Sequence, residues 1–302
     1  MQSLPIYSKQ AILVEEQLDR LIVRGLVVGD RRFALHALSC VSYYRFSAYT
    51  YPFRSSSIPD AFVSGTTFEK VWRYYRFDRR LKNVVLDAIE RVEIAVRTKL
   101  VNTFTSAYGP FGYRDPVNFA APVDERRFNA TLGFIDHETE KSNEEFVVHF
   151  RSTYDSSKGL PLWMAVEVMT FGNLLTLFKL LKKKDKKAIA KDFGISASVL
   201  ESWLTVLNYV RNVRAHHARL WNRHLPVNPE LPDKDLRWHD EAYPVNPSRI
   251  YSVLSLLNQM LAVIAPQSNW KNRLLELLAE FPEVHRPSMA LPEGFENSPL
   301  WL

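Results

Sequence analysis

The chain is expected to fold as an all-α protein, and three observations point that way. Apolar residues recur at helical spacing over long windows, strand-like alternation never persists beyond a few residues, and glycine is scarce. Ten glycines in 302 residues disfavour a turn-rich all-β architecture. The length allows one large domain or two modest ones. Composition is that of an ordinary soluble globular protein, 46% hydrophobic and 24% charged, and the high aromatic share of 13% anticipates a well-built interior or stacking surfaces.

The elements follow in order. In residues 8–26, Ile12, Leu18, Leu21, Ile22 and Leu26 share a helical face, and Gly25 reads as the stop. A short helix is expected at 31–39. "SYYRFSAYTYPFR" (42–54) is dense in tyrosine, read as packing the N-terminal helices onto the body rather than as a platform for stacked bases. Thr67 can cap the longest helical pattern, Phe68 to about Thr105, whose apolar stripe is Leu81, Val85, Ile89, Val92, Val96 and Leu100. Beside it runs a polar stripe, Glu90, Glu93 and Arg97, which can line a partner groove or form an ion-pair ladder at the surface. Phe128–Phe150 reads as one helix and 161–183 as another, entered through Pro161. A short helix at 188–194 ends at Gly194. Ser198 and Glu201 form a capping box that opens a helix running on through "YVRNVRAHHARLWNR" (209–223). A proline-rich stretch (224–247) is expected to wrap the surface before two amphipathic helices at 248–264 and 268–280. These textures divide the chain into an N-terminal helical segment packed on the core (1–66), a helical core (67–225), and a proline-rich connector with C-terminal helices (226–302).

One cysteine, Cys40, cannot form an internal disulfide and reads as a small core residue without a histidine partner nearby in sequence. The N-terminal stretch shows no secretory pattern, and the most apolar segment, 160–181, is interrupted by Glu167, Asn173 and Lys179. A cytoplasmic protein without a membrane partner is expected. Net charge is +6, and the densest basic run, "KLLKKKDKK" (179–187), reads either as a solvated helix C-terminus or as a phosphate-attracting patch. Glycine-rich phosphate loops and H-E-x-x-H are absent from the sequence.

The 209–223 stretch raises the functional question, because it mixes four arginines and an adjacent histidine pair with Tyr209, Val210, Val213, Leu220 and Trp221. A solvated helix end, a metal site and a phosphate-handling site compete. Metal binding is set aside, since His216 and His217 point about 100° apart on a helix and His224 has no acidic neighbour. Arg211 continues the apolar line Leu200, Leu204 and Leu207, so its stem starts on a buried or partner-facing side and its guanidinium must find an anion. Asn212 and His216 are neighbours at i, i+4. Such a trio suits RNA cleavage without metal: arginine steadies a phosphate, histidine exchanges protons near neutral pH, and asparagine orients one or the other. In the competing reading Arg211 pairs with Glu90 or Glu93, and the histidines cap or pack.

"YYRFSAYTYPFR" (43–54), "YRFDRRLKNVVLDAIERVEIAVRTKL" (75–100), "LPLWMAVEVMTFGNLLTLF" (160–178) and "RNVRAHHARLWNR" (211–223), in that order, resemble the abortive-infection Abi-like family of bacterial defence proteins, of AbiD or AbiF type. That family is placed in the HEPN superfamily of helical ribonucleases, whose R-x(4–6)-H signature maps onto Arg211, Asn212 and His216, with His217 satisfying the looser spacing. The resemblance implies a HEPN-like helical bundle core and a homodimer that juxtaposes two motifs. It also implies a metal-independent endoribonuclease toxin needing no cofactor, and a role in phage defence under control of a bound small RNA. The alternative is a non-catalytic protein that holds a structured RNA. RNA contacts are expected from Arg214, Arg219, Arg223, Lys182, Lys183 and Lys184, with Glu90, Glu93 and Arg97 in support.

Overall fold

A computed structural model describes residues 10–302, which contain twelve α-helices, short 3-10 turns and no β-strand. The all-α expectation holds. Ser8 and Lys9, expected to open the first helix, lie outside the described residues. The chain divides into two compact units, Met1–Arg80 with Leu277–Val284, and Leu81–Glu276 with His285–Leu302.

In the first unit, α1 (Val14–Val23) buries Leu18 and Leu21. It stops where Gly25 takes φ +93°, with Leu26 N–H donating to Leu21 C=O at 3.0 Å and Gly25 N–H to Ile22 C=O at 2.8 Å. This reversed pair of bonds is a Schellman closure, and it needs a left-handed residue that glycine adopts without a Cβ penalty. α2 (Arg31–Val41) is capped by Asp30, which accepts the Phe33 N–H at 2.9 Å. α3 (Tyr43–Thr50) lays Phe46 against Phe68 with centroids 4.4 Å apart. Packing of the tyrosines holds for Tyr49, buried with its hydroxyl donating to Asp78 at 2.7 Å, whereas Tyr44 and Tyr51 point to solvent. Thr67 accepts the Lys70 N–H at 3.0 Å at the head of α4 (Phe68–Tyr108). Cys40 corrects the core expectation: it is exposed, and His36 stands one turn earlier on α2 with Nε2 3.9 Å from Sγ.

In the second unit the α4 stripe from Leu81 to Leu100 is buried as expected. Two expected helices are each broken in two. Residues 125–153 form α5 (Glu125–Lys141) and α6 (Glu145–Thr153), because Ser142 leaves the helical region at ψ 129°. Residues 162–180 form α7 (Leu162–Val168) and α8 (Phe171–Leu180), because Met169 is extended at ψ 146° and Thr170 caps a new start. The lysine run begins α9 (Lys183–Lys191) rather than ending the helix before it, since Leu181 turns inward with ψ 148°. α9 closes at Gly194, φ +70°, through Ile195 N–H to Ala190 C=O and Gly194 N–H to Lys191 C=O.

α10 (Ala197–Ala215) is capped by Ser196, which accepts the Val199 N–H at 3.2 Å. Ser198, the expected cap, lies inside the helix and its hydroxyl donates to Glu230. α10 buries Leu200, Trp203, Leu204, Val206, Leu207, Val210 and Val213, and packs on α8 and α9. The proline-rich connector is anchored by indoles. Trp203 Nε1 donates to Glu230 C=O at 2.8 Å, and the buried Trp238 Nε1 donates to Gln259 at 2.9 Å. α11 (Ile250–Ile264) and α12 (Trp270–Glu280) fall close to their expected places. Among the described residues no helix is long and apolar enough to cross a membrane.

Candidate active site

The arginine–histidine stretch is not one helix. α10 ends at Ala215, His216 is its C-terminal cap at φ −83°, ψ 9°, and His217 turns left-handed at φ +53°. Ala218 N–H donates to Val213 C=O and His217 N–H to Arg214 C=O, both at 2.9 Å. This is again a Schellman closure, with histidine where α1 and α9 carry glycine. The expected continuation to Arg223 is therefore corrected: the left-handed residue reverses the chain, so Ala218–Arg223 is turn and loop. His216, His217 and Asn212 are exposed around this end.

The arginine is oriented from α4. Arg211 Nε lies 3.2 Å from Glu93 Oε2, and Arg97 Nη2 donates to Glu93 Oε1 at 2.5 Å and to Met169 C=O at 2.7 Å. One carboxylate thus bridges two guanidiniums. Glu93 and Arg97 are buried, contrary to a ladder at the surface, whereas the Arg211 side chain keeps 38% of its area in solvent. Of the two carboxylates weighed for Arg211, Glu93 is the partner; Glu90 is exposed. Two cations against one buried anion leave net positive charge at an accessible position.

The other predicted residues scatter. Arg214 is half-buried on α10. Arg223 folds back, its Nε donating to Tyr209 Oη at 2.6 Å and its Nη1 to Arg219 C=O at 3.1 Å, so it braces the turn. Lys182, Lys183 and Lys184 gather at the opening of α9, with the Lys182 and Lys184 ammoniums 5.2 and 5.5 Å from the Tyr108 ring centroid. The rise of α4 from Glu93 to Tyr108 is about 22 Å, so this patch is separate from the Arg211–His216 pair. The Tyr108 hydroxyl donates to Asp185 at 2.9 Å, and its pKa is raised, by burial first and by that bond second.

Sequence reasoning missed Lys82, whose Nζ donates to Ala218 C=O at 3.2 Å and so pins the turn that follows His217. A lysine between Leu81 and Val84 on the buried stripe was the available signal. Asn208, one turn before Arg211 and Asn212, was not weighed either; its side-chain amide lies beside Gly172 at the start of α8. Among the described residues no group of three or more His, Cys, Asp or Glu side chains could hold a metal ion.

The family model described as Abi-like protein matches residues 36–222, well over half of the chain. The chain belongs to the Abi-like protein family. The matched span contains the four blocks quoted above up to Asn222, and with them Glu93, Arg97, Arg211 and His216 of the Abi-like chain. Membership points to abortive-infection phage defence. No curated protein and no solved structure matches this Abi-like chain.

Proposed function

We propose that this chain is a metal-independent endoribonuclease toxin of the HEPN type, acting as a homodimer in an abortive-infection response. The observation that carries the reading is the Arg211 guanidinium, held at Nε by Glu93 yet 38% exposed, close to the helix end that presents Asn212 and His216. A guanidinium has five N–H donors, so one held through Nε keeps its terminal amino groups for a phosphate. In the reaction the ribose 2′-oxygen attacks phosphorus and loses its proton to a base. The 5′-oxygen departs and takes a proton from an acid, leaving a 2′,3′-cyclic phosphate. His216 supplies one of those proton transfers, Arg211 steadies the charge that grows on the phosphoryl oxygens, and Asn212 orients the ring or the phosphate. His217 or the second protomer's motif supplies the other transfer.

A second reading, a non-catalytic RNA-binding protein, is favoured by the same ion pair, since Glu93 offsets the charge that Arg211 could lend a transition state while the lysines at the opening of α9 stay available to RNA phosphates. One experiment separates them. Purified protein is incubated with RNA in EDTA and the ends are mapped. Cyclic phosphate ends that disappear in Arg211→Ala and His216→Ala, with helicity and melting retained, support the nuclease. RNA that is bound in a salt-sensitive way but left whole supports the binding protein.

A further inference from the structure

The opening of α8 carries a feature that the cleavage reading does not use. Thr170 caps it: its hydroxyl accepts the Asn173 N–H at 3.2 Å and its carbonyl the Leu174 N–H at 3.0 Å. The N–H groups of Phe171 and Gly172, in the first turn, have no carbonyl within the helix to bond. Immediately before the cap, Met169 C=O accepts from Arg97 Nη2, which brings that guanidinium to the same helix end. Arg97 is 8% exposed, and its Nη1, out of reach of water, has no hydrogen-bond partner. A charged donor stranded in this way is costly unless a ligand completes it.

Gly172 is the second anomaly. A Cβ there would stand 3.7 Å from Asn208 Oδ1 and 3.8 Å from Thr170 Oγ1, ordinary contact distances, so packing does not require glycine. Helix propensity favours alanine. Glycine keeps bare backbone beside Asn208 and the first-turn N–H groups, at the helix end whose preceding carbonyl, Met169 C=O, accepts from Arg97, and close approach of a ligand to backbone is what a missing Cβ permits. Asn208 in turn lies one turn, about 5.4 Å of rise, before Arg211 and Asn212 on α10. Glu93, the carboxylate that Arg97 holds, is already bridged by two guanidiniums.

We propose that the α8 N-terminus, with Arg97 and Asn208, is a phosphate subsite that holds the RNA backbone phosphate adjacent to the one engaged by Arg211. Helix dipole and free N–H groups favour an anion there, and Arg97 Nη1 supplies the charged donor. The assignment rests on the reading of RNA as the ligand, and it deepens that reading by giving the strand a direction, from the α10 end across the α8 opening.

The test uses the full chain in two parts. In the first, 15N-labelled protein is titrated with inorganic phosphate and the Phe171 and Gly172 amides are followed. Saturable shifts of both are expected, together with the Arg97 side-chain signals. In the second, RNA carrying a 2′-deoxy nucleotide at the cleavage position is bound to His216→Ala protein with and without Gly172→Ala. The added methyl group is expected to weaken binding about tenfold and to lower the dependence of log affinity on log salt by about 0.7, one phosphate contact, while melting does not fall. Amides that stay still under phosphate, or a Gly172→Ala protein that binds with undiminished affinity, overturn the subsite even if the parent cuts RNA. Conversely, saturable shifts in a protein that leaves RNA whole keep the subsite and end the nuclease reading.

Discussion

Replacing Glu93 by alanine is the sharpest perturbation of this site, and its size follows from burial. Glu93 and Arg97 side chains are each about one-tenth exposed and 2.5 Å apart, while Arg211, on the other carboxylate oxygen, is 38% exposed. Without the carboxylate, Arg97 keeps the Met169 carbonyl and little else in a place that water does not reach. Stranding one member of a buried pair costs about 3–5 kcal/mol. Arg211 can turn to solvent, so its share is about 0–1 kcal/mol. The expected loss is therefore about 4 kcal/mol, a fall in Tm of roughly 12 °C for a domain of this size. Replacing both partners, Glu93→Leu with Arg97→Met, is expected to return the protein to within about 2 kcal/mol of the parent, since neither charge is then buried alone. Urea melts followed by circular dichroism measure the parent, Glu93→Ala, the Glu93→Leu and Arg97→Met single variants and the double variant. A Glu93→Ala loss under about 1 kcal/mol, or a double variant as unstable as the two single losses combined, would refute the argument that this carboxylate neutralises a buried guanidinium.

Three further outcomes are expected. His217→Gly should raise stability by about 0.5–1 kcal/mol in thermal melts, because glycine relieves the left-handed strain that Gly25 and Gly194 avoid at the equivalent positions; an unchanged or lower Tm counts against strain. Asp235 accepts two bonds from the Arg237 guanidinium, at 2.8 and 2.7 Å, which hold its carboxyl below the ordinary 3.8. The unfolded chain therefore takes up the proton first: the contribution is full above about pH 4 and is lost as pH falls below that value. Asp235→Asn should flatten the acid limb of Tm against pH, and parallel curves would remove the pair from the account. Replacing Lys182, Lys183 and Lys184 together by alanine should weaken RNA binding and reduce the salt slope by about 2. Stability should hold or rise slightly, because three cations at a helix N-terminus oppose the dipole; an unchanged slope would place the RNA elsewhere.

Much of the architecture was legible in residue spacing. The stripe from Leu81 to Leu100 recurs every turn, and a buried helical face needs no other information. Gly25 and Gly194 were readable as stops because a left-handed closure usually selects glycine. The same closure at His217 was not readable, since nothing in the side chain announces positive φ. The division of 161–183 was hidden for a related reason. Thr170 sits inside an apolar run, and its capping role depends on Met169 leaving the helical region, which the burial of the flanking helices decides.

The sequence by itself determined that Arg211 needs an anion and that Glu90 and Glu93 were the carboxylates to weigh, because a guanidinium beside an apolar stripe cannot stay unpaired. It determined the helical class and the family as well, through periodicity and the order of four blocks. Only tertiary structure decided which carboxylate and how exposed the arginine remains, because those depend on the rotation of α10 against α4, two helices far apart in the chain. It also brought Arg97 to the opening of α8, a meeting of residues 97 and 169–172 that no local spacing encodes. Helical period reports which side chains share a face of one element; which faces meet is set by how the whole core closes.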